Sequence, residues 1–370
     1  MTTIIEARQL QKHYGGPLAV RDVSLAVNEG EFLSLLGASG SGKTTTLRMI
    51  AGLESPTQGS VLFRGQDITH VPVAQRDMRM VFQDFALFPN LTVWENVAFG
   101  LRLRITRGRY TSDEVKSRVG QYLETVQLTG HADKMPHQLS GGQRQRVSLA
   151  RALVTDPPVV LFDEPLGSLD ANMRKVMQLE LKRLHRELRK TFIYVTHDQE
   201  EAMGLSDRVA VLKDGRLLQL GTPDDIYFRP NCAAVASFIG AANVLDGVAA
   251  TTPGGTVSVE LAGGVRLAAA DNAAGVANGE AVTIMLRAEQ VRVAPAAGGA
   301  ADGVRAQVTE RLFLGEKVRY ELKVPGTGLR LTAMSSGGHP GLSLGDDVLV
   351  SADPGHVRII ARGSAPRADA

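Results

Sequence analysis

The sequence predicts an α/β domain on a mostly parallel sheet, interrupted by a helical insert and followed by a small all-β barrel. Three observations carry this. Residues 1 to about 240 alternate short β-like runs with longer helical patterns, as in a parallel or mixed sheet covered by helices. A glycine-rich loop separates an apolar run from a helical pattern between residues 32 and 52. Beyond residue 240 the texture changes: no lysine occurs between Lys213 and Lys317, and Ala, Gly and Val dominate.

In chain order, "FLSLLG" (32–37) reads as a buried strand, being almost continuously apolar and ending at a polar turn, and "TTTLRMIAGL" after it as a helix. In "LTVWENVAFGLR", Thr92 followed three residues later by Glu95 is a capping box, so a helix begins there. Residues 113–154 read as mostly helical, which places an insert at about 85–155. "VVLFDE" (159–164) and "TFIYVT" (191–196) return to strands. Past 240 the runs "TVSVEL", "VTIML", "VRVAP", "VRYELKV" and "DDVLVSA" have the spacing of a small antiparallel barrel or sandwich. The expected division is 1–240, 241–362 and a disordered tail at 363–370.

Bulk properties narrow the function. A length of 370 residues with 44% apolar residues fits two or three globular domains. The net charge of +2 is too small to argue for bulk nucleic-acid binding, and the basic run Arg102–Arg109 reads as a solvated face. Cys232 is the only cysteine, so no disulfide framework or thiolate metal cluster is expected. No signal peptide is visible, and no apolar stretch approaches the ~20 residues that span a bilayer. The expectation is a soluble chain in a reducing compartment that reaches a membrane only through a partner.

"GASGSGKT", Gly37–Thr44, fits the phosphate-loop pattern and stands after a strand and before a helix, as its mechanism requires. Main-chain N–H groups there can wrap phosphates, Lys43 can reach the β- and γ-phosphates, and the Thr44 hydroxyl can bind Mg²⁺. Asp163 and Glu164 end a buried strand. One carboxylate can hold Mg²⁺ through water and the other can deprotonate an attacking water. An N-terminal charge pair for the next helix is the plainer reading, but Pro165 and "LGSLDA" intervene. His197 follows "TFIYVT" at the carboxyl end of a strand, where α/β proteins bind ligands. Gln83 in "VFQDFALFP" is either polar trim or a site residue, and Tyr14 either stacks on a base or lines an ordinary turn.

A second anion-binding segment lies far downstream. In "LSGGQRQRVSLARALV" (139–154), Ser140 is a helix-capping residue and Gly141 and Gly142 let a ligand approach the backbone at a helix N-terminus. Alone it reads equally as a capped helix with a flexible start.

Together these motifs, in this order over residues 4–240, resemble the nucleotide-binding subunit of an ABC transporter. The resemblance implies a P-loop NTPase cassette whose substrate is ATP with Mg²⁺. It implies that Tyr14 stacks on adenine and that Gly37, Ser39, Gly40, Ser41, Gly42, Lys43, Thr44 and Thr45 hold phosphates. Thr44, Gln83 and Asp163 would serve the metal, and Glu164, His197, Lys43 and Gln83 catalysis. Ser140, Gly141, Gly142, Gln143 and the D-loop Asp170, in Ser168-Leu169-Asp170, would serve the partner's ATP in a head-to-tail dimer of two copies. Two permease subunits would receive the motion, a solute-binding protein would act indirectly, and the chain would sit at the cytoplasmic face of the bacterial inner membrane.

The region past 240 resembles an OB-like TOBE barrel of importer subunits, as in "FIGAANVLDGV" (238–248). Two departures stand out: Ala288 in "LRAEQV" where proline is expected, and Gly167 where serine is usual. Among importers the stretch from Met177 to Pro223 looks most like the spermidine/putrescine group, with ferric-iron, aminoethylphosphonate and sugar importers close behind. A soluble translation-type or repair-type ATPase of the family would carry a second cassette or a long coiled coil, and neither is present. An oligonucleotide-binding barrel is disfavoured because Phe313 and Tyr320 are the only aromatics after residue 240, and a GTPase because Asn-Lys-x-Asp is missing. A barrel that senses the imported solute is permitted.

Overall fold

The computed structural model describes residues 2–103, 108–251, 257–269, 276–296, 303–336 and 341–362. The expected tail at 363–370 and part of the basic run lie outside them. The chain divides into two compact units, Met1–Pro223 and Asp224–Ala370.

The first unit holds two sheets. β1 (Thr3–His13), β2 (Leu18–Asn28), β4 (Gln58–Phe63) and β5 (Gln66–Asp67) form an antiparallel sheet in the order β2-β1-β4-β5. The other is ordered β10-β9-β3-β8-β7-β6, from β3 (Phe32–Leu36), β6 (Met78–Val81), β7 (Val159–Asp163), β8 (Thr191–Thr196), β9 (Arg208–Lys213) and β10 (Arg216–Gly221). All its pairs are parallel except β9 with β10. The central strands are apolar on both sides because both faces are covered. Leu33, Leu161, Ile193 and Val195 face a core shared with α1 (Lys43–Ala51) and the antiparallel sheet. Phe32, Phe162, Phe192 and Tyr194 face the other way, against the insert and α5 (Ala171–Leu188). The alternation is the period of two that a strand imposes.

The insert supplies α2 (Val93–Arg102), α3 (Ser112–Thr125) and α4 (Gly141–Leu153). Thr92 caps α2 as expected, with both halves of the capping box formed, and Thr111 with Glu114 repeats the device at α3. Residues 126–140 contain only short 3-10 turns, so the segment is less continuously helical than its sequence suggests. Gly130 and Pro136 fall there, poor helix-interior residues both. After β8, the short α6 (Gln199–Leu205) leads into β9.

The second unit begins with α7 (Pro223–Phe228) and α8 (Ala233–Phe238), then β11 (Ala242–Thr251), β12 (Val257–Glu260), β13 (Arg266–Ala269), β14 (Ala281–Arg287), β15 (Arg292–Pro295), β16 (Val304–Phe313), β17 (Lys317–Lys323), β18 (Arg330–Ser336), β19 (Asp347–Ser351) and β20 (Arg358–Arg362). They make two antiparallel five-stranded sheets, β13-β12-β11-β14-β20 and β15-β19-β16-β17-β18, curled over one core that includes Val259, Ile284, Val318, Tyr320 and Val348. This is the OB-like barrel the sequence predicts.

The division falls earlier than residue 240. Arg287, fully buried, explains why: its guanidinium donates to the carbonyls of Tyr227, Ala236 and Ile239, and lies 4.2 Å over the Tyr227 ring. Five N–H donors in a fork suit several carbonyls at once, so α7 and α8 belong to the barrel. Gly240 (φ 63°) is pressed against the same ring, where a Cβ would come within 3.1 Å of Tyr227 Cε2. Ala288, the departure from the expected proline, uses the N–H that proline lacks: it donates to Ala241 O at 3.0 Å.

Candidate functional site

The phosphate loop leaves the carboxyl end of β3, whose five residues are all buried. Gly37 is required where it stands, since a Cβ would lie 2.3 Å from Leu212 O. The loop ends at Gly42, which caps α1 without any side-chain hydrogen bond. The first N–H groups of α1 therefore keep their capacity for an anion, at the positive end of the helix dipole. Ser41 Oγ is buried without a partner. Ser39 and Gly40 are exposed, and Thr45 is half-buried one residue into the helix after Thr44.

Lys43 Nζ donates to Gly37 O and Ala38 O, both at 2.9 Å, so the ammonium rests on its own loop. Burial pushes it below the usual lysine range, against the pull of the Glu164 and Asp163 carboxylates. Thr44 Oγ1 donates to Asp163 Oδ1 at 2.8 Å, and Arg48 Nη2 lies 3.5 Å from Asp163 Oδ2. Sequence reasoning did not single out Arg48, yet it is four residues after Thr44 on α1, one helical turn along the same face.

Glu164 follows β7 with φ 45°, a left-handed conformation that a non-glycine residue adopts only under constraint. Its N–H donates to Val195 O at 3.1 Å and its carbonyl accepts from Gly167 N at 3.2 Å. The turn aims the carboxylate at His197, whose Nδ1 is 3.1 Å from Glu164 Oε2. At Gly167 a Cβ would be 3.4 Å from Glu164 O and 3.6 Å from Gln83 Nε2. Gln83 thus lies beside this group, and the serine that is usual at 167 would fit.

The residues after Gln83 are held from the insert. Phe85 and Ala86 have φ of 63° and 45°. Ser148 Oγ donates to Phe85 O at 3.0 Å, and Arg151 donates to Phe85 O and Ala86 O at 3.0 and 2.6 Å. Neither arginine nor serine announces this in sequence, because the acceptors are main-chain carbonyls.

Five predicted residues, Lys43, Thr44, Asp163, Glu164 and His197, meet at one sheet edge, with Gln83 next to them. The Ser140 segment, the second candidate for anion binding, does not join them. Ser140 caps α4 with a complete capping box: its Oγ accepts from Gln143 N at 3.3 Å, and Gln143 Oε1 accepts from Ser140 N at 3.0 Å. Gln143 Nε2 is 3.1 Å from His131 Nε2. A Cβ on Gly141 would meet Leu169 Cδ2 at 3.2 Å, and one on Gly142 would meet Met173 Sδ at 2.6 Å. The segment therefore packs on the start of α5, which Asp170 caps by accepting from Met173 N at 2.9 Å. Tyr14 is 60% exposed, with Lys12 Nζ 5.1 Å over its ring.

The loop, the hydroxyl–carboxylate pair and the poised glutamate define a nucleoside-triphosphatase of the P-loop kind. Residues 20–167 match the family described as ABC transporter, and residues 284–360 match the TOBE domain. The chain belongs to the ATP-binding proteins of ABC transporters and is an ABC-type ATPase. It is similar to the spermidine/putrescine import ATP-binding protein PotA of Rubrobacter xylanophilus, 47% identical over 360 residues that cover 96% of this chain and 93% of that one. The protein of the same name from Thermobifida fusca is 45% identical over 345 residues, 92% of this chain and 88% of that one. Among solved structures, a dimeric post-hydrolysis ATP-binding cassette bound to ADP and Pi has a TM-score of 0.53 at 34% identity, covering 60% of this chain and 99% of that chain. CbiO1 of Clostridium perfringens, part of an ABC transporter complex, has a TM-score of 0.56 at 30% identity, covering 61% and 91%. Among the described residues no helix is long and apolar enough to cross a membrane.

Proposed function

We propose that this chain hydrolyses ATP to drive uptake of spermidine or putrescine through a membrane permease, as one of two identical subunits at the cytoplasmic membrane face. One observation carries the arrangement. The two phosphate-binding segments of one chain point to different neighbours: Gly37–Thr44 to Asp163 and Glu164, and Ser140–Gln143 to the start of α5. A second copy placed head to tail gives the Ser140 segment a phosphate to bind, with Asp170 beside it.

In each site Tyr14 stacks on the adenine, and the loop N–H groups from Gly37 to Lys43, with Ser39, Ser41 and Thr45, hold the phosphates. Lys43 leaves the carbonyls of its loop for the β- and γ-phosphates. Thr44, Asp163 and Gln83 would hold Mg²⁺, and their hard oxygen donors fit it; when bound it neutralises phosphate charge. A water attacks the γ-phosphorus, the bond to the β–γ bridging oxygen breaks, and Glu164 takes the water's proton. His197, now against Glu164, turns its ring to the γ-phosphate. The amides of Gly141 and Gly142, with Ser140 and Gln143, complete the γ-phosphate's surroundings from the partner. Loss of that phosphate opens the dimer, and the segment after Gln83 passes the change through the insert to the permease.

The test is uptake of radiolabelled spermidine by cells that lack their own polyamine importers and carry this chain with its permease and solute-binding protein. Uptake should appear with the native chain, vanish with Glu164→Gln and be competed by putrescine. Competition by a sugar or ferric iron, with none by putrescine, would move the chain to another importer group.

A further inference from the structure

We infer that Arg174 is a positioning residue that ties the D-loop to the turn carrying His197 and so makes each ATP site respond to the other. The inference rests on the head-to-tail dimer proposed above.

Arg174 lies in the first turn of α5, and its side chain runs back toward the helix N-terminus, as helical side chains do. Its Nη2 donates to Leu169 O at 3.1 Å, in the middle of Ser168-Leu169-Asp170. Its other two nitrogens face two carboxylates of the His197 segment. Nη1 is 3.8 Å from Asp198 Oδ2, and Nε is 3.8 Å from Glu201 Oε1. Both carboxylates fix the backbone on either side of His197. Asp198 caps α6, accepting from Glu200 N and Glu201 N at 2.8 and 3.1 Å. Buried Glu201 accepts through Oε2 from Tyr194 OH and Thr196 Oγ1 at 2.8 and 2.7 Å, and Thr196 Oγ1 accepts from Asp198 N at 2.9 Å. Arg174, Thr196, His197, Asp198 and Glu201 line one small cavity with Glu164 and Gly167. The guanidinium therefore stands behind the catalytic pair.

The contacts on the His197 side are incomplete. Arg174 Nε is buried and has no hydrogen-bond partner. A charge-assisted hydrogen bond closes at about 2.8 Å, roughly an ångström short of where the two carboxylates stand. Arg183, farther along α5, shows the contrast: it is saturated, with 2.8 Å bonds to Glu180 and Glu187. An arginine that only braced the fold would be expected to look like Arg183. Arg174 instead holds the D-loop carbonyl while facing two unclosed acceptors, so displacement of the D-loop and displacement of the His197 turn act on the same group. In the dimer the D-loop of one copy meets the ATP of the other. Nucleotide in the partner's site would then shift Leu169, and through Arg174 bias where His197 stands in the first site. That is a coupling between sites through a named contact.

The experiment compares the full-length native chain with Arg174→Gln and Arg174→Lys. It measures ATPase rate against ATP concentration, affinity for a fluorescent ATP analogue, and ATP-dependent dimerisation with Glu164→Gln also present. The native chain should show a Hill coefficient above 1, approaching the number of coupled sites. Arg174→Gln should lower kcat by about tenfold and bring the Hill coefficient to 1, with nucleotide affinity and trapped dimer within about twofold of native. Arg174→Lys keeps the charge without the fork, so part of the rate should return while the Hill coefficient stays near 1. That variant also keeps the test valid if the glutamine form folds poorly. Unchanged kcat and cooperativity would overturn the inference. So would a proportional loss of affinity and rate in both variants, the mark of a merely structural role. If Glu164→Gln alone traps no dimer with ATP, the dimer reading itself fails, and this inference with it, whatever the Arg174 variants do.

Discussion

The cassette and the barrel spend their buried polar groups differently. Among the described residues, ten non-glycine residues of Met1–Pro223 have positive φ, including Phe85, Ala86 and Glu164, and none of the barrel does. Ser41, Arg144, Gln145, Thr155 and Arg174 of the cassette hold buried polar atoms without partners, whereas in the barrel only Tyr320 does among the described residues. The barrel's buried charge, Arg287, is saturated by three carbonyls. The barrel satisfies nearly all of its buried groups within itself, as a stable core requires. A domain that must receive a phosphate and move keeps donors free and backbone strained, and offsets the cost in its sheet and helix packing.

The hardest blow to this contrast falls on Glu164. Glu164→Gln keeps the shape and the left-handed turn but cannot take a proton. Turnover should fall by about 10²-fold or more while ATP still binds, as measured by phosphate release and nucleotide titration. A loss of only a few-fold would mean that the strain at Glu164 serves the fold.

Next comes the sharing of the site between two copies. Lys43→Ala and Ser140→Arg, each with Glu164→Gln and a different tag, should form mixed dimers with ATP more readily than either self-pair. The mixed dimer alone retains one site with native Lys43 and native Ser140. Equal, negligible trapping of all three species, with both variants folded, would remove the trans role of Ser140.

On the barrel side, Arg287→Ala should cost about 3 kcal/mol or more, because three carbonyls, two of them buried, lose their donor. The loss should appear in thermal unfolding of the second unit, with ATPase of the purified chain unaltered. A fall in basal ATPase equal to that of a site variant would erase the division of labour between the units.

The smallest effect should come from Ala288→Pro, which restores the expected residue. It deletes the hydrogen bond to Ala241 O, worth about 1 kcal/mol, against a smaller gain from a stiffer unfolded chain. A shift of a few degrees or less in melting temperature is expected.

What sequence could reveal was local. The phosphate loop, the carboxylates ending β7, the capping boxes at Thr92 and Ser140 and the alternating barrel strands each depend on neighbours a few residues away, so period and residue type expose them. Their order along the chain sufficed for the family. The tertiary structure alone decided which donors meet which acceptors at long range. Arg287 and Arg151 hold main-chain carbonyls that lie 48 to 60 and 65 to 66 residues away. Every residue carries a carbonyl, so such a partner leaves no mark in composition or spacing. For the same reason the unit boundary fell at Pro223 instead of 240: α7 and α8 read as a continuation of the cassette, and only the folded chain brings their carbonyls to Arg287.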